Sequence, residues 1–392
     1  MKKTLSVLLT LMMALSCFAG IGMQALAAPV NGWQFEDFYD EDGDYYGEGY
    51  RYYRGGSYVT GFQTINGYRY YFDEYDGRNL RDEYFWDDYD YFYYAKSNGV
   101  LATGWQEIYD DSAEDTFWYY FNSSNRAIKG WQKISGTWYY FNNYDYDPYM
   151  YSGGIAEING DTYCFAANGA MLTGWQKVTL WDEEYTTAYN YWCYFNADGK
   201  AVRGWKQIGG KWYYFYEEDE PLMYSDGAYY INGKTYGFAK SGAMLTGWQK
   251  LDGEWYYFNS NGAARTGWQK IGGSWYYFWS DGTMENRPYP KINGVYYSFY
   301  SSGALYTGWV RQNGYWFYFT SNGIARGWQK ISGDWYYFRP LADGDVRSMA
   351  TGWQKIGSYW YYFNSSGTMR TASLKQGGKT YYFYSDGSCK NP

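Results

Sequence analysis

Histidine is absent from the 392 residues, proline occurs 7 times and cysteine 4 times. Without histidine no imidazole can serve as a general base or a metal ligand. Three cysteines follow the N-terminal segment, Cys164, Cys193 and Cys389, too few for a disulfide framework and odd in number. A Cys164–Cys193 bridge and free or partly buried thiols both stay open. Leu, Ile and Val, the usual core residues, are sparse, whereas Tyr, Trp and Phe make up 26% of the chain. Buried surface must therefore come from ring packing, at roughly 150–250 Å² per aromatic. Excess positive charge is also lacking. The net charge of −8 disfavours nucleic acid as a partner and favours cationic ligands.

The one long apolar run lies at the N-terminus. Lys2 and Lys3 precede Leu5 to about Met23, and Ala25-Leu26-Ala27 follows as a small-x-small signal. This pattern predicts a signal peptide over residues 1–27, with secretion and no transmembrane segment after cleavage. Cleavage removes Lys2 and Lys3 and no acidic residue, moving the net charge to about −10.

What remains, residues 28–392, is an array of repeats, degenerate over 32–100 and best preserved over 101–392. The unit Thr266-Gly267-Trp268-Gln269-Lys270-Ile271-Gly272-Gly273-Ser274-Trp275-Tyr276-Tyr277-Phe278 nearly repeats the unit that starts at Thr246. Two aromatic runs joined by a Gly turn predict a β-hairpin. One such hairpin is too small to stand alone, so the hairpins must stack. The closing Phe recurs from Phe72 through Phe121, Phe141 and onward to Phe383, with Ala95 in its place once. The expected fold is all-β, a solenoid of about sixteen short β-hairpin repeats. Longer hairpins carry acidic, Tyr-rich extensions, as at Tyr109–Asp115 and Trp181–Tyr185, with others at Tyr216–Pro221 and Arg339–Val346. These read either as solvated tips or as loop extensions on one face of the solenoid, where binding variation often sits.

Comparing the repeats with one another separates two sets of aromatics. Most units carry a Trp after Gly, the Trp of Trp-Tyr-Tyr, and a second Tyr in that run. A minority class loses all three: Ile155, Thr162 and Cys164 stand there in one unit, Ala228, Thr235 and Gly237 in another, and Tyr289, Tyr296 and Ser298 in a third. These units keep the first Tyr (Tyr163, Tyr236, Tyr297) and the Phe (Phe165, Phe238, Phe299). Alternate residues of a strand face opposite sides. The first Tyr and the Phe are therefore expected to build the interior, and the two Trp with the second Tyr to form a binding surface. Two full units depart at the first Tyr, with Cys193 and Phe317.

Two Trp and a Tyr around a cavity suit a quaternary ammonium group, held by cation–π attraction, or a stacked sugar ring. The run Thr-Gly-Trp-Gln-Lys-Ile-x-Gly-x-Trp-Tyr-Tyr-Phe-Asn-Ser-x-Gly-x-Met resembles the choline-binding, or cell-wall-binding, repeats of Gram-positive bacteria and their phages. It is also similar to glucan-binding repeats and to the repetitive domains of clostridial toxins. The resemblance implies a left-handed β-solenoid with choline caged between consecutive hairpins by two Trp of one repeat and an aromatic of the next. Carried onto this chain, the cages are Trp105 and Trp118 with Tyr140, Trp175 and Trp192 with Tyr214, and Trp248 and Trp255 with Tyr277. Two more are Trp309 and Trp316 with Tyr337, and Trp328 and Trp335 with Tyr362. Phe after Tyr-Tyr, where choline-binding repeats often have Leu, and the interspersed Ile-Asn-Gly units resemble toxin-type arrays.

The expectation is a secreted, cell-wall-associated, non-catalytic protein that binds choline-bearing teichoic acid or a cell-wall polysaccharide. An adhesin for host or extracellular glycans is the alternative, and homodimer formation stays open. No cofactor and no metal is expected. Asp87-Asp88 and Glu217-Glu218 could be paired carboxylates of a glycosidase, but they lie in hairpin extensions. Asp40-Glu41-Asp42-Gly43-Asp44 lacks the glycine position and the twelfth-position Glu of a calcium loop.

Overall fold

The structure, a computed structural model, describes residues 30–110, 113–143, 147–181, 188–340 and 347–392. The expected signal peptide and parts of the acidic extensions (111–112, 182–187 and 341–346) lie outside the described residues. Every regular element described is a β-strand, and among the described residues no helix is long and apolar enough to cross a membrane. Among the described residues the strands form sixteen antiparallel repeat hairpins, plus a short pairing of Ser298–Phe299 with Leu305–Tyr306. Two compact units divide the chain, Met1–Gly153 with Phe165–Met171, and Gly154–Cys164 with Leu172–Pro392.

The hairpin formed by Gly247–Leu251 and Glu254–Phe258 illustrates the second unit. Its turn residues Asp252 and Gly253 both have positive φ, 51° and 89°. This is the geometry whose twist matches that of paired strands, and it favours Asp-Gly and Gly-Gly. Trp248 pairs with Tyr257, Gln249 with Tyr256 and Lys250 with Trp255. Trp248, Trp255 and Tyr257 thus share one face, and Tyr256 and Phe258 the other, as the alternation predicts. Gln249 donates from Nε2 to the Thr246 carbonyl at 2.9 Å, which accounts for the Thr-Gly-Trp-Gln run.

Consecutive hairpins meet with unlike faces. Trp248 lies 4.8 Å from Tyr276 and 5.8 Å from Phe278 of the following hairpin, centroid to centroid. The Met284 amide beyond that hairpin donates back to the Trp255 carbonyl at 2.7 Å. The first unit repeats the arrangement: Trp105 lies 5.0 Å from Tyr139 and 5.8 Å from Phe141, and the Met150 amide donates to Trp118 at 2.7 Å. The Phe side chains at these junctions are buried. The connecting turns close with glycine under two constraints. Gly262 has φ +84°, and a Cβ there would stand 2.1 Å from Met244 Sδ.

The minority hairpins show what replaces a Trp pair. In the hairpin of Gly227–Ile231 and Lys234–Phe238, Ala228 pairs with Gly237. A Cβ on Gly237 would fall 2.6 Å from the Phe258 ring, which occupies the space a second Tyr would need. The two departures from the first Tyr now have a reason. Cys193 and Phe317 each follow a hairpin without a Trp pair, so no indole waits for a phenol there. Around the former, Cys164, Val178, Cys193 and Phe195 close an apolar cluster against Ile155.

Cys164, Cys193 and Cys389 are free, buried thiols. Burial, then the neighbouring Cys164, pushes the Cys193 thiol up to about 12. Its folded pKa lies above its unfolded one, so its contribution to stability is full below about pH 8.5 and is lost as pH rises toward the folded value. Native Cys193 should resist iodoacetamide at pH 8.5 and react rapidly once denaturant unfolds the chain. Mass spectrometry showing fast alkylation of the folded protein would contradict this burial.

Candidate functional site

The junctions that follow the hairpins of Trp105, Trp205, Trp328 and Trp353 each leave an open cage. At seven junctions the first Trp meets the second at 6.2–6.5 Å, edge to face, and meets the first Tyr of the next hairpin at 4.7–5.0 Å. The first Trp is half-buried, wedged between hairpins. The second stands at the mouth, with Trp335 42% exposed. The Trp328, Trp335 and Tyr361 cage encloses ≈ 360 Å³, lined also by Met369, Ser385 and Asp386. Trp205, Trp212 and Tyr236 enclose ≈ 330 Å³ with Met244 and Asn261, and Trp105, Trp118 and Tyr139 enclose ≈ 250 Å³ with Met150 and Asn168.

All five expected Trp pairs come together, but the third ring differs from the expectation. It is the first Tyr of the following hairpin (Tyr139, Tyr213, Tyr276, Tyr336 and Tyr361), not the second (Tyr140, Tyr214, Tyr277, Tyr337 and Tyr362). The physical reason is alternation. The second Tyr shares a face with the Trp of its own hairpin and so points away from the preceding pair. Tyr277 lies 5.2 Å from Trp268, Tyr337 5.2 Å from Trp328 and Tyr362 5.3 Å from Trp353. Tyr140 and Tyr214 are buried against Trp131 and Trp205, under Tyr151 and Tyr224.

Among the described residues, cages not foreseen from sequence include those of Trp205, Trp212 and Tyr236 and of Trp353, Trp360 and Tyr381. The first is completed by a minority hairpin with no Trp of its own. The retained Tyr236 was the signal: it serves its predecessor. Likewise Trp268 lies 4.7 Å from Tyr297 and 5.8 Å from Phe299 of another minority hairpin.

The rim of the Trp328 cage carries a carboxylate. Asp386, on the Trp328 cage, accepts from the Ser388 amide and hydroxyl at 2.9 and 2.7 Å, and these bonds hold its carboxyl below the usual range. It is therefore anionic at neutral pH. Burial, followed by the charge of Asp386, raises the Tyr361 phenol, and burial with Asp334 raises Tyr336, so both rings stay neutral. A neutral aromatic box with an anionic rim attracts a soft cation.

The description "choline-binding repeat" matches residues 102–145, 225–265 and 350–389. "Putative cell wall binding repeat" matches 60–75, 204–219, 266–284, 307–325 and 327–340, and together the two span more than half of the chain. The chain belongs to the choline-binding, or cell-wall-binding, repeat family. Within and around this family, Glucosyltransferase-S of Streptococcus mutans is 33% identical over 188 residues, 47% of this chain and 12% of the relative. Glucosyltransferase-I of Streptococcus downei is 27% identical over 242 residues, 53% of this chain and 14% of the relative. The chain thus spans about an eighth of the length of these relatives. Among solved structures, choline binding protein F from Streptococcus pneumoniae aligns over 74% of this chain and 99% of its own, at 26% identity and TM-score 0.37.

Proposed function

We propose that this is a secreted, non-catalytic protein that attaches to a bacterial surface through its cages, each holding the trimethylammonium group of a teichoic-acid choline. The observation that carries this is the box of three ring faces repeated at junction after junction, with an anionic side chain on the rim of the Trp328 cage. A trimethylammonium group offers no hydrogen-bond donor, and the box presents mainly π faces. Each ring contributes about 0.5–2 kcal/mol. Many weak cages on one chain gain by avidity on a polymer that carries many cholines.

A glycan is the second reading, supported by the 33% identity to Glucosyltransferase-S and by indoles exposed at each mouth, on which a sugar ring could stack. The two readings separate on a quaternary-amine resin. The choline reading expects retention and release by free choline. Flow-through from that resin, combined with retention on dextran or purified peptidoglycan, would leave the glycan reading in its place.

A further inference from the structure

The first hairpin of the array, Gly32–Tyr39 with Tyr45–Arg54, carries one Trp and so lacks the Trp pair of the other cages. Its junction nevertheless has the geometry of one. Trp33 pairs with Tyr52, and Phe35 with Tyr50, which places Tyr50 at the position of the second Trp. Trp33 meets Tyr50 at 6.4 Å and 84°, Tyr70 of the next hairpin at 5.1 Å and 66°, and Phe72 at 5.6 Å and 31°. For the Trp105 cage the corresponding values are 6.3 Å and 75°, 5.0 Å and 66°, and 5.8 Å and 33°. The backbone tie is present too, from the Asn79 amide to the Tyr50 carbonyl at 2.8 Å.

This cage holds a cation of the chain itself. The guanidinium carbon of Arg81, in the segment after the next hairpin, lies 3.9 Å from the centre of the Tyr50 ring and 5.9 Å from that of Trp33. Arg81 is half-buried and, among the described residues, has no ion pair. Its Nε donates to Asn79 Oδ1 at 3.2 Å. Burial lowers its pKa while Tyr50 and Tyr70 oppose that shift. Aromatic faces, not a carboxylate, compensate the desolvation of this charge. Cations near other cages sit differently: Lys133 and Arg311 lie 5.8 and 5.9 Å from the outer Trp138 and Trp316, and Lys379 covers Tyr381 alone at 5.0 Å. The next junction shows a related substitution. Arg69 replaces the second Trp, and its guanidinium lies 4.2 Å over Phe62.

We propose that Trp33, Tyr50 and Tyr70 form a further quaternary-ammonium site that the chain keeps closed with Arg81 as an intramolecular ligand. The proposal rests on the cation reading of the cages. It implies that removing the plug opens one more site.

The test is calorimetric titration of the full chain, its Arg81→Ala and Arg81→Gln variants, and Arg81→Ala combined with Trp33→Ala, using choline and, separately, methylguanidinium. Circular dichroism checks that each variant keeps its strands, and Arg81→Gln retains most of the stem where alanine disturbs the loop. The expected result is one additional choline and one additional methylguanidinium bound per chain in the plug-less variants, lost again when Trp33 is removed. A wild type that takes choline, with folded plug-less variants that take no more, overturns this inference and leaves the proposed function standing. A wild type that takes no choline, with plug-less variants that gain one methylguanidinium, sinks the choline function and supports the plug. Folded variants that gain neither probe overturn the plug in either case.

Discussion

Replacing Tyr236 by alanine is expected to cripple one choline cage, although the hairpin that carries Tyr236 has no tryptophan. Tyr236 lies 4.7 Å from Trp205 and forms a wall of the cavity of Trp205 and Trp212. One ring contributes about 0.5–2 kcal/mol to a caged cation, so affinity at that cage should fall between about 2- and 30-fold. In a titration, one site per chain should move to a weaker class while strand content stays unchanged. Two controls bracket the result. Tyr230, in the same hairpin, is 73% exposed and lines no part of this cavity, so Tyr230→Ala should bind as wild type. Tyr214 is buried beneath Trp205 and Tyr224, so Tyr214→Ala should lose stability, not a wall of the Trp175 cage. If Tyr214→Ala weakens one cage while the hairpins stay folded, and Tyr236→Ala weakens none, the second-Tyr assignment is right after all.

The same pair of residues marks how far the sequence could be read. Hairpin geometry was legible because the turns announce themselves: Asp252-Gly253 and Gly272-Gly273 have the positive φ values their residue types favour. The two faces were legible because alternation along Trp255-Tyr256-Tyr257-Phe258 leaves no choice. Joining the faces across a junction was not, since a strand pattern says which side a ring takes but not which neighbour that side meets. Trp pairs face forward along the chain and Tyr-Phe pairs face back, so a site needs opposite faces of successive hairpins. Once that offset is known, the minority hairpins cease to be decayed copies. Tyr236-Phe238 and Tyr297-Phe299 complete the sites of Trp205 and Trp268. Arg81 escaped for a different reason: it lies in a connecting segment, where no periodicity places a side chain.

Within one cage, the two tryptophans should separate binding from stability. Trp335 is 42% exposed and meets Trp328 edge to face at 6.2 Å. Trp335→Ala removes a wall but opens no buried cavity, so one choline site should weaken with little change in the unfolding midpoint. Trp328 is half-buried and wedged against Tyr337 at 5.2 Å, Tyr361 at 4.9 Å and Phe363 at 5.7 Å. Trp328→Ala loses the same wall and also the packing between two hairpins, at a cost of about 3 kcal/mol or more. Because each hairpin is stabilised mainly by its neighbours, the damage should appear at that junction first. The Met369 amide, which donates to the Trp335 carbonyl at 2.7 Å, should lose its protection from hydrogen exchange in Trp328→Ala and keep it in Trp335→Ala. Equal loss of protection in both variants would mean that the outer indole also holds the hairpins together, and that binding and stability do not separate at this cage.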